Sequence, residues 1–264
     1  MKTSNYIKFL FTLVFLTSTT LTAGDDAFFG LPSPSEILMD AEAEGLKIKI
    51  NKNNSQILRA DLKKIAEKNK YEAAFAMGRI FAIAGFSFKK LKTQNILSLA
   101  NKMYIGTAAL KLPEVINNEI TGYYTKMLKN PKWERTELMI FFTSARSSLM
   151  YLMKDQKKVK KDEYPVVQTV STALELGMWY QALSLGLENL NPEQAENYGS
   201  VFIDEDILEY FDSCLKESLK FNIHPTLIKE LNSINKFTLE ILKDEKVNIS
   251  ELNDLKSKLN GVLK

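Results

Sequence analysis

Four charged side chains set on apolar helical faces are the residues of this sequence that could do chemistry. Arg79 interrupts the apolar run 71–88; Arg146 sits among Phe142, Ala145, Leu149 and Met150; Glu119 lies between Ile116, Ile120 and Tyr123; and Glu175 follows Ala173 and Leu174 in a second apolar run. An unpaired buried charge costs several kcal/mol, so each must reach water or meet a partner. The spacing predicts that Arg79 or Arg146 pairs with Glu119 or Glu175 as an internal ion pair. The alternative chemistry is recognition: arginines facing a cavity would hold an anionic or amphipathic small molecule. Trp179 and Tyr180, with Tyr123, Tyr124 and Tyr151, would then line a slot between helices, the usual ligand position in a bundle. Core packing accounts for the same aromatics. The hydroxyls of Thr143, Ser144, Ser147 and Ser148 gather near Arg146, but such groups in helices often bond their own backbone.

Catalysis has little to draw on. Glu119 with Glu175 would be a carboxylate pair able to move protons without histidine, and nothing else in the sequence supports such an enzyme. His224 is the single histidine and Cys214 the single cysteine, which removes Cys/His zinc sites, thiol pairs and histidine clusters. His224 precedes Pro225 at a helix start, where a capping or surface role is expected. The glycines are scattered singly, with no G-x-x-x-x-G-K, G-x-G-x-x-G or G-x-S-x-G, so no phosphate loop or nucleophile elbow is expected. No metal and no cofactor is implied.

The elements that must position these residues are helices. Within 71–88, Ala74, Gly78, Ala82 and Gly85 recur at spacings of four, four and three, a line of small residues along which a neighbouring helix can approach. Phe75, Phe81, Phe86 and Phe88 cover the other sides, as expected of a central core helix. Arg79 and two glycines within so short a run leave it below the roughly 20 apolar residues of a membrane span. Prolines punctuate the chain: Pro34, Pro113, Pro131, Pro165, Pro192 and Pro225 each precede a helix-compatible segment. Ser33 with Glu36, and Asn191 with Gln194, have the spacing of capping boxes, and Asn130 is a third cap candidate. The alternation of strands is missing; the best candidate, 47–50, is expected to be extended but isolated.

The fold class that follows is all-α, a helical bundle or paired helical hairpins of about eight to ten helices. Aligning 74–78 with 173–177 brings Gly78 onto Gly177 and Phe81 onto Tyr180 at an offset of 99, a weak hint of internal duplication. The expected organisation is a signal peptide at 1–23, an N-terminal segment with one short helix at 24–54, a first helical half at 55–154, a basic polar linker at 155–164, and a second half at 165–264. The stripe Leu252, Leu255, Leu259 and Val262 is expected to dock a C-terminal helix in a groove.

Lys2 and Lys8, the apolar stretch 9–16 and the small residues ending at Ala23 read as a secretory signal. Loss of its two lysines would bring 35 basic and 32 acidic side chains close to balance, which argues against nucleic-acid binding. The functional expectation is an exported protein, periplasmic or extracellular, without catalytic machinery and without a transmembrane span after cleavage. It would act through an unknown protein partner, by self-association, or as an accessory component. The alternative is a helical small-molecule-binding domain with Arg79, Glu119, Arg146, Glu175, Trp179 and Tyr180 around the ligand.

Overall fold

Gly78 and Gly177 set the architecture. A Cβ on Gly78 would lie 1.9 Å from the Leu174 carbonyl oxygen, and a Cβ on Gly177 would lie 2.1 Å from that of Phe75. Two helix backbones therefore touch where neither has a side chain. The computed structural model that shows this describes residues 34–50, 55–87, 92–130, 132–154, 159–191, 225–241 and 248–263, with single residues and short groups between 157 and 243. All of these fall within one unit, Pro32–Lys264.

Among the described residues nine α-helices and one 3-10 turn (Ile57–Arg59) form, and no strand: α1 Pro34–Ala43, α2 Leu62–Lys68, α3 Lys70–Ser87, α4 Thr93–Ala109, α5 Glu114–Lys129, α6 Arg135–Lys154, α7 Tyr164–Glu188, α8 Pro225–Ile241 and α9 Ile249–Val262. The fold is an all-α bundle. Residues 47–50 form no strand, and they are not isolated: Lys49 N donates to Asn189 Oδ1 at 2.9 Å and the Lys49 carbonyl accepts from Asn189 Nδ2 at 3.1 Å. Among the described residues no helix is long and apolar enough to cross a membrane.

The two glycine-bearing helices, α3 and α7, make the most extensive contact between any two described elements. Both are apolar nearly all round, and 73–84 and 169–187 are buried without a break, which is the pattern of helices surrounded on every side. Their crossing is reciprocal: Gly78 meets Leu174, and the positions 99 residues on and back, Gly177 and Phe75, meet each other. The offset suggested by the sequence thus maps the contact onto itself. Helix α1 lies against both α3 and α7.

Helices α2 and α4 lie against α3, and α6 and α9 against α7, while α5 packs on α4 and α6, and α8 on α9. On α5 the buried stripe is Ile116, Ile120, Tyr124 and Met127. Helix α6 buries Leu138, Phe142, Ala145 and Leu149, and its Phe142 ring meets Phe81 of α3 edge-on at 5.5 Å and Tyr124 at 6.3 Å. Helix α9 docks on α7 and α8 through Leu252, Leu255 and Leu259, with Leu263 rather than Val262 completing the buried stripe.

Tyr124 carries a local misfit. It is fully buried, its hydroxyl makes no hydrogen bond among the described residues, and burial pushes its pKa up. A buried unsatisfied hydroxyl is a cost that phenylalanine removes at the same shape. Tyr124→Phe is expected to raise stability by up to about 1 kcal/mol in urea denaturation; a loss of that size would mean the hydroxyl is bonded.

Helix ends follow local rules. Helix α1 closes in a Schellman motif, Leu46 N to Ala41 O at 2.9 Å and Gly45 N to Glu42 O at 3.2 Å, with Gly45 at φ 112°. Asn69 accepts from Tyr71 N and Glu72 N at the start of α3. The capping box at Asn191 and Gln194 forms, with bonds of 2.8 and 3.3 Å, and a second, not marked in the sequence reading, joins Asn248 and Glu251 ahead of α9. Prolines Pro34, Pro113, Pro165 and Pro225 stand at or next to helix starts. Helix α6 departs from that rule: it starts at Arg135 instead of directly after Pro131. Asn130 Oδ1 accepts from Lys132 N in a tight Asx turn, and Glu137 reaches back to Glu134 N, so the helix is capped one turn later. The signal segment 1–23, Ser33 of the first capping box, Cys214 and His224 lie outside the described residues.

Candidate functional site

Arg79 follows Gly78, so the contact that brings the α7 backbone against α3 also brings α7 side chains within reach of its guanidinium. Its Nε donates to Gln181 Oε1 at 2.9 Å. Its Nη2 donates to the backbone carbonyl of Leu263. Arg79 is 8% exposed and Gln181 is fully buried. Burial pushes the Arg79 pKa down to about 10, still well above neutrality, so the group remains charged at pH 7.

For Arg79 this takes the place of the expected ion pair. The acceptors that hold Arg79 are two neutral oxygens, and no salt bridge involves it among the described residues. Leu263 is the C-terminal cap of α9, whose last carbonyls have no partner within the helix. The guanidinium supplies a donor there and places positive charge at the negative end of the α9 dipole. One side chain thus ties α3, α7 and α9 together, and the arrangement engages Arg79 with its own chain.

The other expected site residues are divided. Glu175, Trp179 and Tyr180 are buried on α7, on the same crossing pair as Arg79. The Trp179 ring stands 6.3 Å from that of Tyr210, and the Tyr180 hydroxyl donates to the Leu231 carbonyl at 3.3 Å, linking α7 to α8. Glu119 and Arg146 are on α5 and α6. Glu119 is exposed, not buried: it sits one position before Ile120, about 100° round the helix from it, outside the stripe that faces the core. Arg146 is half-buried on α6. Tyr151 is 45% exposed and Tyr123 packs edge-on to Phe141, so the aromatics do not converge on one slot. Among the described residues no group of histidine, cysteine, aspartate or glutamate is placed to hold a metal.

Gln181 was missed from sequence, although a signal exists: it is the one amide in the apolar stretch 173–187. The Leu263 carbonyl had no signal, because any residue carries one. Compared with protein-family models, with curated proteins and with solved structures, the chain matches none.

Proposed function

We propose that this is an exported helical protein that acts through contact with another protein, its chemistry carried by a helix face instead of a catalytic site. The observation that supports this reading is the outer side of α6. Ile140, Ser144, Ser147 and Tyr151 recur at spacings of four, three and four, which places them on one face. Ile140 is 61% and Tyr151 45% exposed, and from 138 to 153 the only charge is the half-buried Arg146. A helix side that faces water ordinarily carries charge; an uncharged one with a large aliphatic and an aromatic side chain suits an apolar protein surface. The closed surroundings of Arg79 favour this over the ligand-binding alternative. The N-terminal signal pattern supports export.

A photo-crosslinking residue placed at Ile140 or Tyr151 of the protein in its own host is expected to yield one discrete conjugate, while the same residue at exposed Lys126 yields none. Ile140→Asp is expected to abolish the conjugate formed from position 151 without lowering the melting temperature. Equal labelling from all three positions would overturn the reading.

A further inference from the structure

Lysine occupies a backbone position after α4 that favours glycine. Helix α4 ends at Ala109, Leu110 caps it by donating to Gly106 and Thr107, and Lys111 follows at φ 50°. That is the left-handed conformation in which a Cβ is crowded and glycine is the usual residue. At the equivalent place after α1 the chain uses Gly45. Substituting glycine at 111 would relieve the backbone, so the Lys111 side chain has to be accounted for by what it reaches.

It reaches a surface pocket of about 390 Å³ between α2, the start of α3 and the end of α4. Lys63, Lys70 and Lys111 line it, Glu67 is the only acid among the described lining residues, and Ala66 and Leu110 are among its apolar ones. The framework is firm. Leu62 fills the space over Gly106, where a Cβ would stand 2.7 Å from Leu62 Cδ1, and Lys102 Nζ donates to the Ala60 carbonyl at 2.6 Å. These two contacts hold α2 alongside α4. Lys70 is further positioned with its Nζ 5.5 Å from the Tyr71 ring centre. On the far side of Glu67 a second depression of about 240 Å³ adds Lys64 and Lys68.

We infer that this pocket binds a small multivalent anion of the phosphate class. Three lysines against one glutamate among the described lining residues leave a positive excess around a concave site, which concentrates anions. Lysines without arginine suit a compact, multiply charged oxyanion approached from several directions, since ammonium is a point charge with rotatable donors and lacks the planar fork that fits a lone carboxylate. The volume lies within the range of small-ligand sites. Glu67 weakens binding at this site and sets its charge balance. The pocket is separate from the α6 face and does not depend on it.

The test uses pyrophosphate as probe, titrated into the full-length protein at low ionic strength by calorimetry. Saturable one-to-one binding is expected, weakening as salt is raised. Lys111→Gly should weaken it at least fivefold while the melting temperature stays or rises by up to about 3 °C. Glu67→Gln should tighten it, a change that a merely structural pocket would not show, and Lys126→Ala on α5 should leave it unaltered. Co-sedimentation with phosphatidate vesicles that pyrophosphate competes away would assign the anion to a lipid headgroup; pyrophosphate binding without co-sedimentation would assign it to a soluble ligand. No saturable binding of pyrophosphate, or equal affinity in the Lys111→Gly and wild-type proteins, would overturn the inference.

Discussion

Gly78→Ala is expected to lower the melting temperature by about 6–12 °C, taking about 3 kcal/mol for an overpacked core contact and 2–4 °C per kcal/mol for a chain of this size. The reason is where the new methyl would go. Its neighbours are the Leu174 carbonyl oxygen at 1.9 Å and the Met178 nitrogen at 2.9 Å, both backbone atoms of a 25-residue helix that has no rotamer to change. Relief requires separating α3 from α7, and that opens the most extensive contact among the described helices. Gly177→Ala should cost a similar amount, because its methyl meets the Phe75 carbonyl from the other side of the same crossing. The double variant should be less destabilised than the sum, since one separation of the helices accommodates both methyls. Gly122 on α5 is the control. A Cβ there meets nothing within 4 Å, so Gly122→Ala should gain about 0.5–1 kcal/mol from reduced chain entropy. Chemical denaturation of the four variants reads all of this. A Gly78→Ala protein as stable as wild type would mean the helices do not cross there.

Arg79→Met is expected to destabilise by about 2–4 kcal/mol, the scale for losing the hydrogen bonds of a buried charged donor. Methionine fills much of the space, so the loss reports the polar contacts more than a cavity. Gln181, fully buried, would lose the Arg79 donor, and the α9 cap would lose the guanidinium at Leu263. Amide exchange should therefore accelerate first in α9, ahead of α3 and α7. The pH dependence has a definite sign. Because burial lowers the Arg79 pKa to about 10 from 12.5, the folded protein binds fewer protons than the unfolded chain between those values. The desolvation cost is present in full below pH 10 and is relieved as pH rises through that window, so this one group makes stability increase with pH there. The difference between wild type and Arg79→Met, measured at matched pH, should grow in favour of wild type across the window; unchanged stability at pH 7 would sink the idea that the two bonds hold the junction.

The sequence by itself determined the helices and the central one among them. Small residues at spacings of four, four and three around Gly78, and aromatic residues elsewhere on the same helix, are local features with a single reading: a buried helix approached closely by another. Proline and cap signals located most starts for the same reason, since they act within one turn. Where a local rule failed, a competing local bond won, as at Asn130, whose Asx turn delays α6 to Arg135.

What only the tertiary structure decided was which polar groups meet. A sequence shows that Arg79 needs acceptors, but the fold supplied Gln181 and a main-chain carbonyl 184 residues away in place of the expected glutamate. Glu119 was misplaced because its two apolar neighbours define a stripe that its own 100° offset avoids. The lysine pocket was invisible for a like reason. Lys63, Lys70 and Lys111 are ordinary surface residues until α2 is laid beside α4, and hydrogen bonds and charge clusters depend on distances that periodicity along one helix does not contain.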